Sequence, residues 1–161
     1  MFYNFGNNDP RKMPDWLFSG VLHLNYATAV RADISKQNYS ICPRHWYIDA
    51  AFRCARCGHT FVFAASEQKF WYEELGSWVD SKAKHCARCR RELRELKALR
   101  QEYDREVAAA LLPKAEIGRK QRLIEVLDLL DQSGVKLPDK ISENRLVLLA
   151  QIERLRNTEK N

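Results

Sequence analysis

The sequence lacks the features that mark several large classes of protein. Its opening residues, MFYNFGNNDP, carry no positive charge and no long apolar stretch, so no secretory leader is expected. No run approaches the roughly 20 apolar residues that a membrane-spanning helix needs. Internal repeats and low-complexity tracts are absent from the sequence, as are a glycine-rich phosphate loop, a Ser-His-Asp candidate and a zinc-protease HExxH. Cysteine is sparse too, with five in 161 residues. Without a leader these thiols are expected in the reducing cytoplasm, where disulfides rarely persist and clustered cysteines more often bind metal.

What is present suits a folded chain, with 30% charged and 45% hydrophobic residues. A chain of this size buries roughly two-thirds of its unfolded surface. The net charge of +6 is unevenly spread. Residues 82–100 contain Lys82, Lys84, Arg88, Arg90, Arg91, Arg94, Lys97 and Arg100 against only Glu92 and Glu95, a local excess that equals the charge of the whole chain.

Three textures succeed one another. Residues 1–30 are an N-terminal extension in which Pro10, Pro14 and Gly20 interrupt apolar residues, with one short helix expected near 15–30. Residues 31–100 hold a compact module of short elements. In YIDAAFRCARCGHTFVF the glycine after the second cysteine permits the positive φ of a tight turn, which predicts a hairpin. A helix of about two turns follows through EQKFWYEEL, with Ser66 as its N-cap and Gly76 as its end. Residues 101–161 are helical. A first helix runs from near Cys86 through Leu93, Leu96, Leu99, Tyr103, Val107 and Leu111 to a stop at Pro113. Two more, about 114–132 and 142–157, carry the stripes Ile117, Leu123, Ile124, Leu127, Leu130 and Leu146, Leu149, Ile152, Leu155.

Four cysteines form two C-x2-C pairs, Cys54 with Cys57 and Cys86 with Cys89, separated by 28 residues. A C-x2-C knuckle lets two thiolates reach one ion at about 2.3 Å, and two knuckles complete the tetrahedron of structural zinc. With four thiolates there is no open position for water or substrate, so the ion would staple and not catalyse. Unrelated buried thiols, a redox pair and an iron-sulfur cluster are the alternatives. The symmetrical spacing and the nearby Arg53, Arg56, Arg88, Arg90 and Arg91, which offset the negative charge of a four-thiolate ion, favour zinc. A helix start at the second pair would favour the thiolate forms of Cys86 and Cys89. A second pair at a helix start also points to a treble clef more than to an all-β ribbon. The fold class expected is therefore α+β: a small treble-clef-like four-cysteine zinc module followed by a helical C-terminal region.

The segments YIDAAFRCARCG, FVFAASEQKFWYEELG and HCARCRRE, within about residues 31–94, resemble a family of mainly bacterial proteins described as a probable zinc-ribbon or treble-clef zinc-binding domain. The resemblance implies that Cys54, Cys57, Cys86 and Cys89 are zinc ligands, and it implies no reaction. This chain has alanine where the family often carries threonine before the Glu-Gln-Lys core, at Ala64 or Ala65 depending on alignment.

Other residues carry weaker signals. Cys42 and His45 have C-x2-H spacing, but no second half of a site accompanies them, and a buried free thiol is the simpler reading. Phe61, Phe63, Phe70 and Trp71 are expected in the core, while Tyr72 and Trp78 divide evenly between core and surface. Glu67, Glu73 and Glu74 lack a nucleophile or open metal position beside them and are expected as solvent-facing carboxylates, and His59 alone does not make a nuclease site, so no catalysis is expected. Two functions remain in view. One is contact with DNA or RNA through Lys82, Lys84, Arg88, Arg90, Arg91, Arg94 and Lys97. The other is a protein scaffold in which zinc gives only stability and the C-terminal helices dock a partner. Neither needs a membrane or a small-molecule substrate.

Overall fold

The structure is a computed structural model that describes residues 6–159. Residues 1–5, read above for a leader, lie outside the described residues. The chain divides into two compact units, one ending at Arg90 and the other beginning at Arg91.

The first unit is built on an antiparallel sheet of order β1-β2-β3, with β1 at His23–Arg31, β2 at Trp46–Arg53 and β3 at Thr60–Phe63. Two cores pack against the central strand β2, burying Tyr47, Ala50 and Phe52 in one and Ile48 in the other. Its hairpin with β3 pairs Ala50 with Phe63 and Arg53 with Thr60, as the YIDAAFRCARCGHTFVF pattern predicts. The short helix expected near 15–30 is replaced by a single 3₁₀ turn at Asp15–Phe18 and the strand β1. Leu24 and Tyr26 alternate inward along β1, and a two-residue period suits a strand packed on β2 better than a helix. The register of β1 on β2 shifts between Asn25 and Val30. Side chains fill in for the ladder there: Thr28 Oγ1 donates to the Asn25 carbonyl at 2.8 Å and accepts the Asp49 N–H at 3.0 Å.

After β3 the chain forms α1 at Ala65–Lys69, which continues as a π-helical turn at Phe70–Glu74 and ends at Gly76 with φ +64°. The expected cap at Ser66 is not made, because the helix begins two residues earlier and Ala64 holds the N-cap position without a side-chain bond. Asp49 on β2 supplies the acceptor instead, its Oδ1 taking the Ala65 N–H at 2.6 Å. One core joins Tyr47, Phe52, Phe63, Tyr72 and Val79, and a second joins Met13, Leu17, Phe18, Cys42 and Ile48. Between them sits Arg44, 4% exposed, its guanidinium over the rings of Phe18 and Tyr72 and its Nε donating to the Val79 carbonyl at 2.7 Å.

Helix α2 spans Ala87–Ala110, and α3 at Ile117–Gln132 and α4 at Asp139–Glu159 follow. The core of the second unit contains Tyr103, Ala110, Leu123, Val126, Leu127, Leu130, Ile141 and Leu148. The expected stripe of α4 is displaced. Leu146 and Leu149 are exposed, and the buried line is Ile141, Leu148 and Ile152. Anchoring side chains decide this rotation, with Asn144 Nδ2 donating to the Tyr103 hydroxyl at 2.7 Å and Arg145 Nε to Asp128 Oδ1 at 2.8 Å. Lys120 is fully buried. Its ammonium donates to the carbonyls of Ala110 at 2.6 Å and Leu112 at 2.7 Å and to Gln151 Oε1 at 2.5 Å. A lysine thus satisfies the Ala110 carbonyl that α2 leaves open at its end and adds a second donor to the Leu112 carbonyl, which also accepts the Ala115 N–H at 3.0 Å.

Candidate metal centre

The two cysteine pairs arise from different local structures. Cys54 directly follows β2, and the chain turns at once: the Gly58 N–H donates to the Cys54 carbonyl at 3.0 Å, and the Cys54 N–H to the His59 carbonyl at 2.8 Å. Gly58 takes φ +74°, a conformation that costs a residue with Cβ, so this turn needs its glycine. Cys86 precedes α2 and its carbonyl accepts the Arg90 N–H at 2.9 Å, which closes the first helical turn and leaves Cys89 inside it. Two backbone donors hold the pairs together. The Ala55 N–H reaches the Lys84 carbonyl at 2.9 Å, and the Cys86 N–H points at Cys54 Sγ at 3.4 Å.

The four sulfurs lie within 4.8 Å of one another, and Cys57 Sγ stands 3.9 Å from Cys86 Sγ. With zinc-sulfur bonds of about 2.3 Å, a tetrahedron of sulfurs has edges of about 3.8 Å, so the spacing fits one zinc ion with four protein ligands. The chemistry of the donor set agrees. Backbone N–H groups, that of Cys57 foremost, overcome burial and pull the Cys54 thiol down to about 5. Cys89 goes the other way, pushed up to about 12 by burial and by hydrogen bonds among the crowded sulfurs of Cys86, Cys57 and Cys54. The backbone therefore favours a thiolate at Cys54. Bringing all four to the thiolate form calls for a cation among them. Cys54 and Cys89 are buried, and Cys57 and Cys86 half-buried. The ion would be sealed by four sulfurs and would serve as a structural staple.

The basic residues singled out from sequence are placed unequally. Lys82 is half-buried and committed to the module, its ammonium donating to the Ser19 carbonyl and lying 5.5 Å from the centre of the Phe52 ring. Arg90 is also committed. Its guanidinium bonds Glu67 at 2.5 Å and stacks on the Trp71 ring at 5.4 Å. Lys84, Arg88, Arg91, Arg94 and Lys97 are exposed. Among the aromatics, Phe63 and Tyr72 are core and Phe61 and Trp71 pack against it. Phe70, expected inside, is 52% exposed, because the π-helical turn swings it outward while Tyr72 and Glu73 go in; Trp78 is 57% exposed.

Cys42 is buried in the second core, and burial raises its thiol pKa. Among the described residues, no second group gathers three or more ligand-type side chains, so Cys42 and His45 do not extend to a site. Sequence reasoning missed the residues that brace the centre: Asp49, Gln68 and the buried Glu73, whose carboxylate accepts the Asp33 N–H at 2.8 Å and pairs with Lys69 at 3.0 Å. A Gln or Glu on a short helix carries no signal of burial.

A hairpin knuckle facing a knuckle at a helix start defines a treble-clef zinc module. Residues 48–97 match the family model described as a probable treble clef domain, in agreement with the resemblance of the cysteine and Glu-Gln-Lys motifs. The match runs from within β2 to the early turns of α2 and contains all four cysteines. No curated protein and no solved structure matches the chain. No helix among the described residues is long and apolar enough to cross a membrane.

Proposed function

We propose that this chain is a non-enzymatic nucleic-acid-binding protein, with its zinc as a structural staple and the exposed side of the start of α2 as its contact surface. The observation that carries the reading is that Arg91, Arg94 and Lys97 are exposed, and no hydrogen bond or ion pair among the described residues holds their side chains. They sit at steps of three along a helix whose first turn bears the zinc ligand Cys89. Lys84 and Arg88 add exposed positive charge beside that turn. Arginines on a braced helix start suit phosphate oxygens, contacts that position a protein on nucleic acid with little sequence preference. The reading places the protein in a reducing compartment such as the cytoplasm, where four thiolates persist.

Binding of labelled single- and double-stranded oligonucleotides should fall with salt, with a log-log slope of about −0.7 to −0.9 per phosphate neutralised. The triple variant R91E/R94E/K97E should lose binding while keeping one zinc per chain. Arg90 is left intact, since replacing it would disturb Glu67 and Trp71. Absence of affinity in the wild type at low salt would overturn the reading.

A second reading rests on α4, where Leu146 is 65% exposed beside exposed Val147 and Leu149. These residues support a helical docking surface for a protein partner, the scaffold function. Recovery of one specific protein that L146E/L149E no longer captures, together with no nucleic-acid affinity, would favour it.

A further inference from the structure

Helix α4 is apolar on two sides. Ile141, Leu148 and Ile152 form its buried line, while Leu146, Val147 and Leu149 stand outside that line at 65%, 44% and 41% exposure, and Ala150 is exposed beside them. A surface helix needs one apolar stripe, and a second is covered only if something further packs on it. Leu149 also lines an open groove of about 390 Å³ between α3 and α4, together with Gln121, Ile124, Glu125, Ile152 and Arg156. Leu146 lies one turn before Leu149 on the same side, so the outer stripe runs into the groove. The charges beside the stripe are ordered along the helix. Asp139 and Glu143 precede it, and Arg154 and Arg156 follow it. All four are exposed, and no hydrogen bond or ion pair among the described residues engages their side chains. Two further charges share these turns: Lys140 falls about 120° around the helix from Leu146, off the stripe, and Glu153 falls on it. Arg145 is already paired with Asp128, and Glu125 with Arg122.

We infer that the outer face of α4 is a self-association surface, on which a second copy of this chain lays its own α4 antiparallel. This rests on the docking reading of α4 above and names its occupant. The face is complementary to itself, which selects a second copy. In a two-fold pair, whatever one residue meets on the other copy meets it in return. With Leu146 of one copy opposite Leu149 of the other, the same register sets Asp139 opposite Arg156 twice, because both pairs share a midpoint between Val147 and Leu148. Glu143 then comes within one helical turn of Arg154 of the second copy, and Glu153 meets the hydroxyl of Ser142. Leu146 of each copy enters the groove of the other beside Leu149, Ile124 and Ile152. A parallel pair would set Glu143 on Glu143, Glu153 on Glu153 and Arg154 on Arg154, and like charges at such positions select against that orientation.

The test uses the zinc-loaded full chain, its mass read by sedimentation equilibrium across a dilution series at low salt. The wild type is expected as a concentration-dependent dimer and L146E/L149E as a monomer, with zinc content and helix dichroism unchanged. Arg156→Glu leaves the apolar stripe intact and guards against misfolding of the double variant. It should weaken the dimer by roughly 5–30-fold, because two exposed pairs turn from attractive to repulsive. The exchange D139K/R156E should recover most of that loss, which damage to the fold of α4 would not do. High salt should shrink the difference between Arg156→Glu and the wild type. A wild type that stays monomeric at every concentration overturns the inference. If L146E/L149E then still abolishes capture of a different protein, the docking reading survives without it, and if no protein engages the face, both fail. A dimer unchanged by L146E/L149E places the contact elsewhere and overturns the inference as well. A dimer lost in L146E/L149E but indifferent to Arg156→Glu and to the exchange overturns the antiparallel arrangement.

Discussion

Removing the zinc should unfold the first unit and leave the helices of the second standing. Apparent binding free energies of structural zinc are about 10–16 kcal/mol. A unit of 90 residues has a total stability of about 5–13 kcal/mol at ~0.05–0.15 kcal/mol per residue. The metal term is as large as everything else that stabilises the unit, so its loss is not a local event. The placement of the chromophores makes this easy to read. All four tryptophans, Trp16, Trp46, Trp71 and Trp78, lie in the first unit. Trp71 packs on Phe63 at 5.0 Å and under Arg90, one residue from the ligand Cys89. Most helix lies in α2, α3 and α4, with 24, 16 and 21 residues. On titration with a chelator, tryptophan emission should shift to the red and near-ultraviolet dichroism collapse together. Ellipticity at the helix band should be largely kept and should melt in a separate urea transition. Verified loss of zinc with unchanged tryptophan signals would refute the argument, as would protein purified without added metal that carries far less than one zinc per chain.

Two further perturbations test the supporting structure. Lys120→Met leaves the Ala110 carbonyl and the Gln151 amide oxygen without this donor and the Leu112 carbonyl with only the Ala115 N–H, which outweighs the relief of no longer burying an ammonium. The second unit should lose about 2–4 kcal/mol in urea denaturation followed by helix dichroism, while the tryptophan midpoint stays in place. Asp49→Ala should cost about 1 kcal/mol by tryptophan fluorescence because it removes the acceptor for the Ala65 N–H, whereas Ser66→Ala should change stability by less than about 0.5 kcal/mol. Equal effects of the two would restore the cap to Ser66.

The metal centre was legible because its signal is local. Two C-x2-C spacings and a glycine in the first knuckle specify ligands whatever the surrounding fold. The hairpin and the three long helices were legible for a similar reason, through alternation, periodicity and stops at Gly and Pro. What escaped depends on partners distant in sequence. β1 is a strand because β2 lies beside it, and a single sequence shows its apolar residues without showing that neighbour. Leu146 and Leu149 have helical spacing as good as that of Leu148 and Ile152, and only the pairing of Arg145 with Asp128 and of Asn144 with Tyr103 selects which line turns inward. Lys120 was invisible because composition reads a lysine as solvated, and its burial depends on the end of α2 and on Gln151.

The Glu-Gln-Lys-aromatic core, the most specific part of the resemblance after the cysteines, is largely explained as construction. Gln68 donates to the carbonyls of Ile48 at 2.6 Å and Phe63 at 2.8 Å, which ties α1 to two strands. The Tyr72 hydroxyl donates to the Ser81 carbonyl at 2.5 Å, and so fixes the segment that leads to the second knuckle. Glu73 holds the loop at Asp33, Lys69 neutralises Glu73, and Glu67 fastens Arg90. Each polar member of the motif is spent on positioning the sheet, the loop or the start of α2 around the four sulfurs. Recognition then falls to residues outside that framework, and Arg91, Arg94 and Lys97 on α2 are exposed cations that no bond of the motif engages. Substitutions within the motif should therefore change zinc retention and stability together, whereas substitutions at Arg91, Arg94 or Lys97 should leave both unchanged and alter only binding. Loss of zinc from R91E/R94E/K97E would break this division of labour.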